Sequence, residues 1–402
     1  MKAPTLLHAL LFLAGTSAVI AADWPVWRGP AHDGISPETD WQLKAEPKVM
    51  WEAEVGLGFS SFVASQGKVL TTGHADDQDT VFCLDAQSGK EVWKHSYAAD
   101  LGDKYYEGGT SATPTIEGDK VWHLSRWGDL MCLELATGKV VWQKNIQQET
   151  GANIPDWGFA GAPLVQGNLL ILNVGKAGVA VEKATGKTVW KSEVDNAGYS
   201  TPYPFTFGGK QLVVIGSGDA YTAVEAATGK QLWTYRWNTR YGVNAADPIL
   251  TGPETLFIST GYNKGCTHLK LLPEGEPEKL WENKALKNMF NSSVLIQGHL
   301  YGIDGDHNSR CALKCVRLSD GEEVWAEKDI GFGSLAATAD GRLLILTAKG
   351  ELVEVKANPA AYEETSRAQI LNGKCWSTPV LANGQLFARN SEGHVVCLSL
   401  KK

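Results

Sequence analysis

The sequence predicts an all-β fold: an eight-bladed β-propeller of four-stranded antiparallel blades, closed by an N-terminal strand that completes the C-terminal blade. Three observations lead there. A ten-residue motif recurs along the chain, the copies are spaced as four short strands require, and the two ends each carry an incomplete repeat.

The motif reads LDAQSGKEVW ending at Trp93, LELATGKVVW at Trp142, VEKATGKTVW at Trp190, VEAATGKQLW at Trp233 and VRLSDGEEVW at Trp325. In each copy Gly lies four residues before Trp and Leu or Val lies nine before it. A looser copy, LKLLPEGEPEKLW, ends at Trp281 after a turn three residues longer. Two further third strands, LVEVKANPAAY near Val355 and VVCLSLKK at the C-terminus, lack the Trp, which brings the number of blades to eight.

From Trp93 to Trp325 the motif tryptophans are 49, 48, 43, 48 and 44 residues apart, a length that fits four short strands and their turns. The units alternate apolar and polar residues and show no helical period. Ser or Thr, then Gly, then Lys supplies the positive-φ position of a tight hairpin. A Trp fixed on the following strand can then pack between neighbouring blades.

Closure is read from the ends. KVMWEAEV, around Trp51, resembles a fourth strand with no first three before it, and the last repeat stops after its third strand. Joining them leaves no long free edge. Residues 47–402 are therefore assigned to the propeller, and residues 23–46, with WPVWRGPAHDGIS, to an arm packed against the ring.

Residues 1–22 carry Lys2, an apolar run from Leu6 to Leu13 and small residues up to Ala22. This order is that of a secretory signal peptide with cleavage near Ala21 or Ala22, too short to span a membrane. The expected location is periplasmic or secreted. The first cysteine is Cys83, so no lipid-anchored start and no membrane anchor are expected. A net charge of -8 without a basic stripe argues against nucleic acid and anionic membranes as partners. A monomer is expected.

Seven cysteines cannot all pair internally. Cys83, Cys132, Cys315 and Cys397 share one position of the repeat and read as small buried residues. Cys266, Cys311 and Cys375 remain candidates for one bridge or a free thiol.

Catalytic signatures are sparse. CxxCH, HExxH and GxSxG are absent. Asp304, Asp306 and Asn308 have calcium-loop spacing, but Ser309 and Cys315 stand where the loop needs Gly and a bidentate Glu. No metal site is assigned.

The chemistry-bearing residues cluster where each inner strand begins, because inner strands line the axial channel and their leading ends meet at one mouth. These segments are YYEGGTSATP from Tyr105, PDWGFAGAP from Pro155, AGYSTP from Ala197, GVNAADP from Gly242, KNMFNSS from Lys287 and KCWSTP from Lys374. They place Tyr106, Trp157, Tyr199 and Trp376 beside Glu107, Asn244, Asp247, Asn291 and Thr378. Aromatics with carboxylates and amides in one concavity suit a planar or sugar-like ligand.

The segment xTGKxxW, preceded by TPxxxGxxV as in ATPTIEGDKVW from Ala112 and STPVLANGQLF from Ser377, resembles the pyrroloquinoline quinone (PQQ)-like propeller repeat. The resemblance covers residues 47–402. Its family includes PQQ-dependent alcohol dehydrogenases, the assembly lipoprotein BamB, and exported bacterial proteins with segments similar to DWPVWRGP, GFAGAPLV and FNSSV, the group this chain looks most like.

For an oxidoreductase acting on alcohols or sugars, the resemblance implies PQQ and calcium. Trp157 or Trp376 would stack on the quinone, Glu107, Asn244 or Asn291 would hold calcium, and Asp247 would be the general base. The adjacent-cysteine pair of those dehydrogenases is absent here. The favoured expectation is a scaffold without turnover that binds a protein partner, small molecule or glycan in its axial funnel. A carbohydrate-binding propeller is a further alternative.

Overall fold

A computed structural model describes residues 22–306 and 310–402. All of the expected signal segment except Ala22 lies outside the described residues, as do Asn308 and Ser309 of the calcium-like loop.

Eight antiparallel sheets of four strands run in chain order through residues 63–98, 115–145, 164–191, 203–236, 249–283, 294–327, 333–369 and 380–399, numbered here as blades one to eight. Blade eight supplies only three strands of its own. Lys48–Glu54 pairs antiparallel with His394–Ser399, placing Trp51 opposite Cys397 and closing the ring as the repeat count requires. The one short helix among the described residues, Ile146–Thr150, follows blade two, with Asn145 capping its first turn.

The core is divided among the junctions. Eight apolar clusters occur among the described residues, one between each adjacent pair of blades. Strand alternation feeds two of them at once. In Lys210–Gly216 of blade four, Leu212 and Val214 face blade five, while Val213 and Ile215 face blade three. The repeat-position cysteines are buried in these junctions. Cys266 and Cys375 are free and buried, and the Cys311 thiol donates to the Asp306 carbonyl, so the three candidates form no bridge with one another.

The motif tryptophan clasps the next blade. Trp93 Nε1 donates to the Leu135 carbonyl at 2.9 Å, Trp190 to Ala226 at 2.9 Å and Trp281 to Leu318 at 2.8 Å. Trp51 does the same across the closing junction, to Ala86 at 2.8 Å. Each ring lies on the motif glycine of the blade it clasps. A Cβ at Gly138 would come within 2.5 Å of Trp93, so the glycine supplies both a positive φ and room for the indole.

Blade four breaks this pattern. Trp233 faces the longer turn of blade five, and its buried indole N–H has no hydrogen-bond partner. Gly275 in that turn has no ring over it.

The arm does more than rest against the ring. Trp24 bridges to Ala64 on the inner strand of blade one, and Pro25 accepts from Ile116 on that of blade two. Ile35–Ser36 then adds a parallel strand to the inner strand of blade seven, Gly333–Thr338. The arm thus runs along the channel end of the blades, from blade one round to blade seven.

Candidate functional site

The segments before the inner strands converge on a funnel of 780 Å³, within the range of small-molecule sites. Seven of the nine residues singled out from sequence line it: Tyr106, Glu107, Trp157, Tyr199, Asp247, Trp376 and Thr378.

Asn244 and Asn291 do not, and here the sequence-based expectation is corrected. Asn244 is fully buried behind the wall, donating to the Ser217 and Trp237 carbonyls at 2.8 and 3.1 Å and accepting from Thr260 at 3.0 Å. Asn291 is also buried and donates to the Gly333 carbonyl at 2.9 Å. From Val243 to Asp247 every second residue faces the axis. Val243, Ala245 and Asp247 face the funnel while Asn244 turns back, and Phe290 faces it while its neighbour Asn291 does not.

The walls hold rings that sequence reasoning passed over. Tyr105, Trp157 and Tyr199 form one run, with centroids 5.6 and 5.9 Å apart. In a second run, Trp376 sits 5.7 Å from Phe59 and 5.3 Å from Phe290, and Phe59 lies 5.8 Å from Tyr106. Phe59 lies in GLGFSS, the equivalent leading segment of blade one, and position in the repeat would have found it. Tyr105 and Phe290 lie in segments already singled out.

Trp27 carried no such signal, because it belongs to the aperiodic arm. It lines the funnel and also the smaller cavities of 10 and 210 Å³ among the inner strands, so it stands as the floor between them.

Asp247 holds that floor. Its carboxylate accepts from Trp27 Nε1 at 2.5 Å, the Thr201 amide at 2.7 Å and Ser292 Oγ at 3.5 Å. Arg28 Nε lies 4.0 Å away, and the same buried guanidinium donates to the carbonyls of Asp33 and Ser293. Burial pushes the Asp247 carboxyl above its ordinary range, with Arg28 and these donors pulling the other way. A carboxylate so engaged is a tether for the arm.

Two other buried arginines hold the mouth. Arg126 donates to the carbonyls of Leu101 and Gly109, both at 2.9 Å, and lies over the Tyr106 ring at 5.5 Å. Arg389, between blades eight and one, donates to Thr72 and Gly56 carbonyls at 2.6 and 2.7 Å, and burial lowers it to about 9.

Inside the funnel, Lys374 pairs with Glu107 and lies 4.5 Å over the Trp376 ring. Burial raises the phenols of Tyr106, Tyr199 and Tyr262, the last to about 12, so they stay protonated donors at neutral pH.

A family profile described as "Outer membrane protein assembly factor BamB" matches residues 38–126 and 79–327. The chain belongs to this family. No curated protein matches it by sequence. Among solved structures, this BamB-family chain is similar to BamB from Moraxella catarrhalis, with TM-score 0.66 and 14% identity over 88% of this chain and 100% of that one. It is also similar to quinohemoprotein alcohol dehydrogenase from Comamonas testosteroni, with TM-score 0.64 and 14% identity over 94% and 81%. A europium-containing methanol dehydrogenase gives 0.64 and 12% over 91% and 89%. At these identities the likeness is one of fold.

The funnel can be tested against the quinone and calcium that the dehydrogenase resemblance implies. Trp157 and Trp376 line the funnel as rings of the kind that stack on a quinone, with Lys374 over one face of Trp376. The oxygen donors do not fit calcium: Asn244 and Asn291 point away, Glu107 is paired with Lys374, and Asp247 is engaged with the arm. Among the described residues no group of three or more His, Cys, Asp or Glu is placed to hold a metal ion. No described helix is long and apolar enough to cross a membrane.

Proposed function

We propose that this BamB-family propeller is an exported binding scaffold without catalytic turnover, and that its ligand sits in the axial funnel. The observation that carries this reading is the floor. The carboxylate in the position of a general base, Asp247, is used to tether Trp27 and Arg28, which close the funnel from below. A general base must be oriented towards the substrate proton, and Asp247 is oriented instead by the arm and its neighbours, Oδ2 accepting from Trp27 and Ser292 and Oδ1 from the Thr201 amide.

Export rests on the signal-peptide pattern of residues 1–22. The competing reading, a PQQ-dependent oxidoreductase, draws its support from the rings of Trp157 and Trp376 and lacks the calcium cage. The test is dye-linked oxidation of alcohols and sugars by the mature protein with added PQQ and calcium. The expected result is no turnover above the protein-free control, and sustained turnover would overturn the proposal.

A further inference from the structure

We infer that the funnel takes the end of a neutral glycan chain, stacking its terminal sugar rings between the two aromatic walls above Trp27. This inference rests on the binding-scaffold reading and names the ligand class of the same site.

Three features point to a polyhydroxylated ring. Sugar rings present apolar C–H faces and an equatorial belt of hydroxyls, so they need flat aromatic surfaces together with donors and acceptors around the edge. The run Tyr105, Trp157, Tyr199 comes from the leading segments of blades two, three and four, and the run Phe59, Trp376, Phe290 from those of blades one, eight and six, so aromatic platforms stand on different sides of the funnel. Ser111, Thr113, Thr201 and Thr378 also line the funnel, and the Thr113 and Thr201 hydroxyls, which accept from the Ser61 and Ala162 amides, keep their own O–H to donate. A flat aromatic ligand would cover these hydroxyls without pairing them, which is unfavourable. The raised tyrosine phenols add donors that remain neutral over the physiological range.

Charge argues for neutrality. Among the described residues Lys374 is the only lysine or arginine lining the funnel, and it is paired with Glu107. Asp247 has Arg28 behind the floor. A polyanion would find no cluster of cations, and the one remaining carboxylate, Asp156, is exposed at the wall. Glu107 and Lys374, already oriented by each other, present an acceptor and a donor to vicinal hydroxyls.

The floor argues for a chain end. The arm turns a through-channel into a blind funnel, so a polymer can enter only by its terminus and cannot thread past Trp27.

The test is calorimetric titration of the mature full-length protein with five linear hexaoses (cello-, chito-, malto-, xylo- and manno-), with the ring-closed α-cyclodextrin, and with PQQ as a planar anionic probe. The inference expects saturable binding of at least one linear hexaose, weakened tenfold or more by Trp157→Ala and by Trp376→Ala. Circular dichroism of each variant should match the parent. A maltohexaose binder should fail to take up α-cyclodextrin, which has no end. Silence from all five hexaoses overturns the glycan inference, and equal binding of the cyclic sugar overturns the chain-end part of it. PQQ binding lost in Trp157→Ala without any hexaose binding would leave the scaffold reading standing while removing this one, whereas turnover would remove the scaffold reading itself.

Discussion

The blade junctions and the axial channel are built on opposite principles. At the junctions one device is repeated: an indole on one blade lies on a glycine of the next and donates to a nearby carbonyl, as Trp51, Trp93, Trp190 and Trp281 do. At the floor of the channel nothing repeats. Trp27, Arg28 and Asp247 each occur once, and they come from an arm and a blade more than two hundred residues apart. The junctions set how many blades close, and the channel sets what the closed ring can hold. Damage should therefore be graded at a junction and concentrated at the floor.

The largest effect is expected at Asp247. Asp247→Ala strips the partner from a buried guanidinium and leaves the Thr201 and Trp27 N–H groups unpaired. Removing one side of a buried ion pair costs about 3–5 kcal/mol. Urea denaturation should show a loss of that order, and acrylamide should quench tryptophan emission more strongly as the floor loosens. A loss below about 1 kcal/mol, with quenching unchanged, would mean that the arm is held elsewhere.

This asymmetry decided what could be read from the sequence. The eight blades and the closing strand were legible because five of the eight junctions use the same Gly and Trp at the same offset, and repetition makes a weak local signal strong. The funnel was legible only in outline. Its leading segments were located, but the choice of Asn244 over Val243 and of Asn291 over Phe290 followed residue chemistry. The local path of each leading segment decides which side chain faces the axis, alternating from Val243 to Asp247 but not at Met289 and Phe290, which both line the funnel. Trp27 was out of reach, since no periodicity links residue 27 to residue 247 and the tether exists only after the ring has closed. The chain's own irregularity at LLPEGEPEKLW was visible, yet its consequence, the orphaned indole of Trp233, needed the neighbouring blade in place.

A second, smaller effect separates the regions by pH. His32 of the arm is held at about 4, first by burial and then by Arg28. Its folded value lies below its unfolded one, so protonation favours the unfolded state. The stabilisation is complete above the unfolded value near 6.5 and is lost as pH falls from there towards 4. Between pH 7 and 5 this one group amounts to up to about 2 kcal/mol at about 1.4 kcal/mol per pH unit. Urea midpoints at the two pH values should differ more in the parent than in His32→Asn. Equal differences would show that the arm does not sense protons through this residue.

The smallest effect is the sharpest comparison, because it lies within the repeated device. Trp93 and Trp233 occupy the same repeat position and are about equally buried, at 7% and 5% exposure. Only Trp93 has a carbonyl for its N–H. Phe at either site removes a similar part of the ring from a junction. At Trp93 it also breaks a hydrogen bond and leaves the Leu135 carbonyl unpaired, whereas at Trp233 it removes a donor that was already costly to bury. Trp93→Phe should therefore lose more stability than Trp233→Phe by about 1 kcal/mol, the net value of a buried hydrogen bond. Guanidinium midpoints of the two variants, measured side by side with unchanged slopes, give this difference directly. If they coincide, the clasp acts through ring packing alone, and the three-residue insertion in blade five costs the ring nothing.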